Sequence, residues 1–350
     1  MKRAEQIPVF LLTGFLGAGK TTLLNQLLQD PALHDTALII NEFGLVPVDH
    51  DLVREGSERP MVTTTGCICC TAGSDLRSSL DQLLAGRKDG SLPPFSRVIV
   101  ETTGLADPAP IINSLIPGGL QATSLRDHAV ARAFRLSSVI TVVNGEGVQA
   151  ALDAHPESLR QIAFADHVVV NRADADLAPQ LRAINPTVRI HRKIARDLLT
   201  PGSYTAFGKG ENVQDWLEND SHIGHAGHFH DLNRHGNVVA VPLTRDDPID
   251  NMAFRDFIAG IAARPGILRI KGLVALRDDP SVPAMVHAVQ HRLYPITLLD
   301  SWPDGQARTR LVIIGAGLDD AAIRAEFAAL SAKSQPFLKV LARVARTGGL

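Results

Sequence analysis

Cysteine is scarce in this chain: three residues in 350, all of them between positions 67 and 70. That scarcity excludes a disulfide framework. The crowding of Cys67, Cys69 and Cys70 also argues against small buried hydrophobes, which would be scattered along the chain. Long apolar runs are missing too. No stretch of 18 or more apolar residues occurs, so no membrane-spanning helix is expected. The opening segment MKRAEQIPVFLLTG meets a glycine-rich loop before a signal-peptide apolar region could finish. Nor does one sign of charge dominate: 35 Lys and Arg stand against 37 Asp and Glu, a formal net charge of -2. Such a balance gives no reason to bind nucleic acid or an anionic membrane. A cytoplasmic protein is expected, whose affinities reside in local sites.

What is present is enough apolar material for a large core. At 350 residues and 45% hydrophobic, the chain suits two domains rather than one. From residue 7 to about 191, short β-branched apolar runs alternate with longer amphipathic segments. The runs fall at 7–13, 36–42, 97–103, 137–144, 167–171 and 188–191, several almost continuously apolar, as parallel strands buried on both faces should be. An α/β fold is expected, with a mostly parallel sheet and helices on both faces. Between 200 and 236 the pattern gives way to Gly, Ser, Asn and His, read as a linker. From Val238 a strand, a helix at 251–264, three strand-like runs and a closing helix at 320–332 suggest a smaller α+β domain. The expected division is 1–208, a linker at 209–236, and 237–350.

GFLGAGKT, residues 14–21, fits G-x-x-x-x-G-K-[ST] and lies between an apolar strand and the helical stretch TTLLNQLLQD. In such a loop Gly14, Gly17, Ala18 and Gly19 let backbone amides converge on phosphates. Lys20 then offers a cation to the β- and γ-phosphates, Thr21 offers a hydroxyl to Mg²⁺, and Thr22 continues the helix start. A second element is expected at RVIVETTG, where Glu101 ends an apolar run and suits Mg²⁺ or water, and Gly104 can present its N–H to the terminal phosphate. Asn171-Arg172-Ala173-Asp174 approximates the N-K-x-D guanine reader, in which Asp174 would accept from guanine N1 and N2. Arg172 stands where that motif has Lys, although a guanidinium can also lie over a base. GTP is favoured over ATP.

TTTGCICCTAGSDL places three thiols between two strands of the nucleotide domain. A C-x-C-C cluster can give two or three thiolates to one tetrahedral ion, which suits Zn²⁺, with Co²⁺ or Cu⁺ as alternatives. Cys67 and Cys70 also form a C-x-x-C pair, but the helix N-terminal setting of a redox pair is absent. His222, His225, His228, His230 and His235 form a second group, either an auxiliary metal-holding stretch or a solvated linker. His287 and His291 are spaced so that a strand would carry both on one face, and a structural or partner-facing role is expected for them.

GFLGAGKTTLLN, NEFG, GCICC, VETTGLADPAPI and ILRIKGL together resemble the CobW-type GTPases, relatives of the nickel chaperones UreG and HypB. The resemblance covers nearly the whole chain, and the tail resembles the broad zinc-associated branch. It implies a GTPase domain carrying a metal site, then a CobW C-terminal domain. Glu42, in Asn41-Glu42-Phe43-Gly44, matches a family acid that completes the cysteine site or approaches Mg²⁺, and Asp49 is a further candidate in that region. Some members continue NEFGE, whereas Leu45 follows Gly44 here, so a metal ligand at that position is missing.

The resulting expectation is a metallochaperone in which GTP and Mg²⁺ set the geometry of the cysteine site, and hydrolysis releases Zn²⁺ to a client metalloprotein. A nucleotide- or metal-dependent homodimer is a further expected partner. Two alternatives stand beside this reading. One is an ATPase or small-molecule kinase with structural zinc; the other is a nucleotide-regulated binding module that carries no metal.

Overall fold

The computed structural model describes residues 6–40, 61–64, 74–115, 125–173, 175–192, 196–199 and 238–330. The first strand, β1 (Ile7–Gly14), is buried along its whole length. It is followed by α1 (Lys20–Leu28), β2 (Thr36–Ile40), β3 (Met61–Thr64), α2 (Ser74–Asp89), β4 (Arg97–Glu101), α3 (Pro108–Leu115) and α4 (Leu125–Ala133). Then come β5 (Phe134–Asn144), α5 (Val148–Ala154), α6 (Pro156–Phe164), β6 (His167–Asn171), α7 (Ala178–Ile184) and β7 (Arg189–His191). The strands form one seven-stranded sheet in the order β3-β2-β4-β1-β5-β6-β7, and its neighbours run parallel throughout.

Alternation along β1 explains how the helices are distributed. Phe10 and Leu12 face one side, where Leu23, Leu24 and Leu27 of α1 cover them with Leu198 and Leu199. Val9 and Leu11 face the other, where α2, α3, α6 and α7 contribute Leu80, Ile112, Ile162 and Leu181. Successive side chains of a strand point to opposite faces, so a central strand needs apolar residues at every position.

The second unit runs β8 (Val238–Arg245), α8 (Asn251–Ala262), β9 (Ile267–Ala275), β10 (Pro283–Val289), β11 (Arg292–Leu293), β12 (Thr297–Leu298), β13 (Thr309–Ala316) and α9 (Asp320–Ala329). Its sheet is antiparallel, in the order β11-β10-β9-β13-β8 with β12 beside β10. Both helices start on an aspartate cap: Asp250 accepts from the Ala253 N–H and Asp319 from the Ala322 N–H. They cover one face of the sheet, where Phe254, Ile258, Ile323 and Phe327 meet Val241, Ile270, Val286 and Ile313. Val238, Leu268, Val289, Val312 and Ile314 join the core of the first unit instead.

The architecture is therefore the expected α/β unit followed by a smaller α+β unit, with three differences in detail. β3 was not anticipated: it is four residues long, two of them threonine, and gives no apolar run. The run after Met285 is one segment in the sequence reading but three strands in the fold, because Gln290 adopts φ 53 and turns β10 into β11. That turn leaves His287 buried on β10 and His291 exposed beyond it, so the two histidines do not share a strand face. Finally, β5 starts at Phe134, earlier than its apolar pattern suggested. The linker at 209–236 lies outside the described residues.

Candidate nucleotide site

The loop after β1 is built around three glycines with positive φ: Gly14 at 141°, Gly17 at 75° and Gly19 at 96°. At Gly14 a Cβ would lie 2.2 Å from the Val142 carbonyl oxygen, so this position admits no side chain. Gly19 is the N-cap of α1 and makes no side-chain capping bond, and no acid occupies the first turn. The amides at the start of α1 are thus left for an anion rather than for the protein's own side chains.

Lys20 lies over the loop, only 8% exposed. Its Nζ donates to the carbonyls of Gly14 at 2.9 Å and Phe15 at 3.3 Å. Burial pushes its pKa below the ordinary lysine range, against the opposing pull of Glu101. Beside it the Thr21 hydroxyl donates to Oε1 of Glu101 at 3.0 Å. Glu101 ends β4, paired in register with Leu12 of β1 and Ile40 of β2, and it is 6% exposed. The strand order itself brings these residues together: β4 and β1 are neighbours, and parallel strands deliver their C-terminal ends to one edge of the sheet.

Gly104 follows β4 and packs against the phosphate-type loop so closely that a Cβ would lie 2.5 Å from the Leu16 backbone nitrogen. At the end of β6, Asn171 donates from Nδ2 to the Ala18 carbonyl at 3.1 Å, tying the loop to a third strand. Arg172 then takes φ 49 and is exposed. On the outer side of the loop, Phe15 stacks on His155 with centroids 4.4 Å apart. There it roofs a cavity of about 360 Å³ that also involves Val142, Ala151, Ser158 and Gln161.

Of the predicted residues, Gly14, Gly17, Ala18, Gly19, Lys20, Thr21, Glu101, Gly104 and Asn171 gather at the C-terminal ends of β1, β4 and β6. Thr22 is on the exposed side of the first turn of α1. Asp174, Glu42, Asp49, Cys67, Cys69, Cys70, His222, His225, His228, His230 and His235 lie outside the described residues. Among the described residues no group of three or more His, Cys, Asp or Glu side chains is placed to hold a metal. His287 instead stacks on Tyr294 at 5.4 Å. Also among the described residues, no helix is long and apolar enough to cross a membrane.

The sequence reading missed Gln161. Its side chain, 1% exposed, donates from Nε2 to the carbonyls of Gly104 and Ala106, both at 3.1 Å. The available signal was an amide in the run Leu159-Arg160-Gln161-Ile162-Ala163, on a helix whose neighbours at that position are core residues.

A loop of this geometry, with a buried lysine and a hydroxyl–carboxylate pair beside it, is a candidate anion site. The family profile described as CobW/HypB/UreG, nucleotide-binding domain, matches residues 8–196. The chain belongs to the CobW/HypB/UreG family. A second profile, the cobalamin synthesis protein CobW C-terminal domain, matches residues 238–331, which takes in β8 to α9 of this family member. Among its relatives is the zinc chaperone CobW of a Sinorhizobium species, 32% identical over 371 residues, covering 94% of this chain and 99% of that one. The zinc chaperone YjiA of Escherichia coli is 28% identical over 333 residues, covering 93% and 98%. The crystal structure of Zn(II)-bound YjiA GTPase from E. coli superposes with a TM-score of 0.69 at 24% identity, covering 93% of this chain and 99% of that one. The two-unit CobW/HypB/UreG fold is therefore common to both.

Proposed function

We propose that the protein is a cytoplasmic GTPase that carries zinc and gives it up to a client metalloprotein as the nucleotide is hydrolysed. The observation that carries the nucleotide half is the meeting of Lys20, Thr21 and Glu101 at the uncapped start of α1. In this reading the ammonium of Lys20 leaves the carbonyls of Gly14 and Phe15 for the β- and γ-phosphate oxygens, while amides from Gly17 to Thr21 hold the remaining charge. The Thr21 hydroxyl and the Glu101 carboxylate, 3.0 Å apart, are hard oxygen donors and fit Mg²⁺. When bound, that ion neutralises phosphate charge. Gly104 offers its N–H to the terminal phosphate, Asn171 fixes the loop through Ala18, and Asp174 reads the guanine edge.

The metal half rests on the three clustered cysteines and on relatives that are named zinc chaperones. Cys67, Cys69 and Cys70 supply soft thiolates and Glu42 a harder carboxylate, a mixed set that suits borderline zinc as cargo. His222, His225, His228 and His230 serve as an auxiliary holding stretch. The nucleotide and the metal act on each other through the segments between β2 and α2. Linkage then requires zinc affinity to differ between nucleotide states.

Zinc titration of untagged protein in the presence of a non-hydrolysable GTP analogue, GDP or the matching ATP analogue tests both halves together. The expected result is a zinc Kd that differs by at least about fivefold between the GTP-analogue and GDP states, the lower end of ordinary coupling. The ATP analogue should leave the Kd where it stands without nucleotide. Equal affinity in all states overturns the coupling. Stoichiometric zinc retained after Cys67, Cys69 and Cys70 are all replaced by Ser overturns the site.

A further inference from the structure

Helix α6 is held at two places by groups of different origin. In its middle, Gln161 donates to the Gly104 and Ala106 carbonyls, both at 3.1 Å, and Arg160 bridges to Asp107 at 3.0 Å. Gly104, Ala106 and Asp107 of the loop after β4 are therefore gripped by neighbouring residues of one helix. Gln161 is also clamped from the sheet, because its own carbonyl accepts the Thr141 hydroxyl at 2.8 Å. One turn further on, the last carbonyls of the helix have no donor within it, and Asn185 Nδ2 takes those of Ile162 at 3.0 Å, Ala163 at 3.3 Å and Ala165 at 2.8 Å without reaching Phe164. Arg269 of β9, in the second sheet, does reach it: its Nη1 donates to the carbonyls of Phe164 at 2.7 Å and Ala165 at 3.0 Å, and its Nη2 to Asp166 at 2.6 Å. Lys271 adds a contact to the same carboxylate at 3.4 Å.

A guanidinium that is 2% exposed is costly to bury, and apolar side chains of similar size often close such an interface with equal or better stability. What the guanidinium supplies instead is direction. Its planar fork fixes the end of α6 along three acceptors, where an apolar contact would let the helix slide. Gln161 stands three residues before Phe164, so a shift at the helix end is felt at Gly104. Gly104 in turn has no freedom against Leu16 of the phosphate loop, where even a Cβ would overlap the backbone.

We propose that Gln161 and Arg269 are positioning residues for GTP hydrolysis: Gln161 holds the loop 104–107 directly, and Arg269 does so from the C-terminal sheet through α6. The inference rests on the GTPase reading above. Neither side chain touches the nucleotide. Both act on the backbone that presents the Gly104 N–H to the terminal phosphate, so GTP turnover depends on them and GDP binding does not.

The test uses the full-length protein. Gln161→Leu removes the donors at similar size, and Arg269→Lys keeps the charge but loses the fork. Each is expected to lower kcat for GTP about tenfold, within the usual range of coupling between sites, while the GDP Kd stays within about twofold. The double variant should fall no further than the stronger single, because both changes break one chain of contacts. Asp304→Asn serves as the stability control, since it removes the Arg310 ion pair within the second unit, and it should keep full kcat at a lowered Tm. Independently of any variant, amide exchange in β9 of the wild type should slow when a non-hydrolysable GTP analogue replaces GDP.

Wild-type kcat in Gln161→Leu, an additive double variant, or β9 exchange that is the same in both nucleotides overturns the proposal. So does a loss of kcat in Arg269→Lys that tracks Tm as it does in Asp304→Asn. If the wild type itself fails to hydrolyse GTP, the GTPase reading falls first. If it turns over normally and the variants match it, only this inference falls.

Discussion

Lys20→Ala is expected to lower kcat for GTP hydrolysis by roughly a hundredfold to a thousandfold, the range for removing one preorganised charge donor from a transition state. The argument starts from where the ammonium rests. Lys20 is almost fully buried and satisfied by two backbone carbonyls, at 2.9 and 3.3 Å. Burial draws its pKa down while the nearby Glu101 holds it up. A cation held so close to the phosphate site, with little water around it, responds strongly to the charge that builds on the phosphates during hydrolysis. Lys20→Arg should not rescue activity, because a planar fork cannot occupy the space of a compact ammonium between those carbonyls. Phosphate release under saturating GTP checks the size of the effect. A variant that turns over within threefold of wild type removes Lys20 from the mechanism. The fold should persist, since the carbonyls of Gly14 and Phe15 lie beside a site that water can reach once the side chain is gone.

What the sequence made legible follows from what each feature depends on. The parallel sheet could be read because strands buried on both faces leave continuous apolar runs, as in β1, β4 and β6. β3 could not, because its partner β2 decides its existence and its own four residues carry no pattern. The loop at 14–21 is a contiguous signature, so its glycines and Lys20 were readable as a unit. Glu101 was readable as an acid at a strand end, but its bond to Thr21, 80 residues away, is a product of strand order. Gln161 and Arg269 illustrate the opposite case. Each is a polar residue beside core positions, and nothing local states which backbone it will satisfy. ILRIKGL was legible as a family motif, but the burial of its Arg269 and Lys271 against Asp166 depends on how two sheets meet. His287 and His291 were placed on one strand face by spacing alone, and the turn at Gln290 separates them.

That meeting of sheets carries the second large expected effect: the protein should lose stability steeply as pH falls from 7 to 5, with the interface between the two units as the cause. Beside Asp166 lie His167, whose Nδ1 is 2.9 Å from Nε2 of His191, and, on β10, His287. Burial pushes His167 down to about 3; the neighbouring Asp166 opposes that shift, and His191, Arg189 and Lys271 reinforce it. His287 is driven well below the usual histidine range, by burial first and then by Arg269 and Lys271, with Asp166 opposing. Both rings are therefore neutral in the folded chain over a range where the unfolded chain takes up protons. Their contribution to stability is complete above the ordinary histidine pKa, near 6.5, and is lost as pH falls toward the folded values.

For His167 alone the loss between pH 7 and pH 5 comes to about 2 kcal/mol, and His287 adds a loss of the same sign. Against a typical total of about 5–15 kcal/mol, that is a large share. Asp166 cannot account for it. Burial would raise its carboxyl, but Arg269, Lys271 and the Val139 N–H more than offset this and hold it well below the usual carboxylate range. Its own contribution is therefore intact at pH 5 and declines only below about pH 4. Urea midpoints at pH 7.5, 6 and 5 separate the two effects, with an expected uptake of more than one proton on unfolding between pH 6 and 5. A midpoint that stays level over that interval removes the histidines from the account. His167→Gln should flatten the profile while leaving the Arg269–Asp166 pair in place. Arg269→Lys should leave its midpoint slope unchanged, because neither ring gains or loses a proton when the fork is replaced by a single ammonium. The same interface would then be separable into a titrating part, which sets how firmly the units are joined, and a fixed ionic part, which sets how α6 is held.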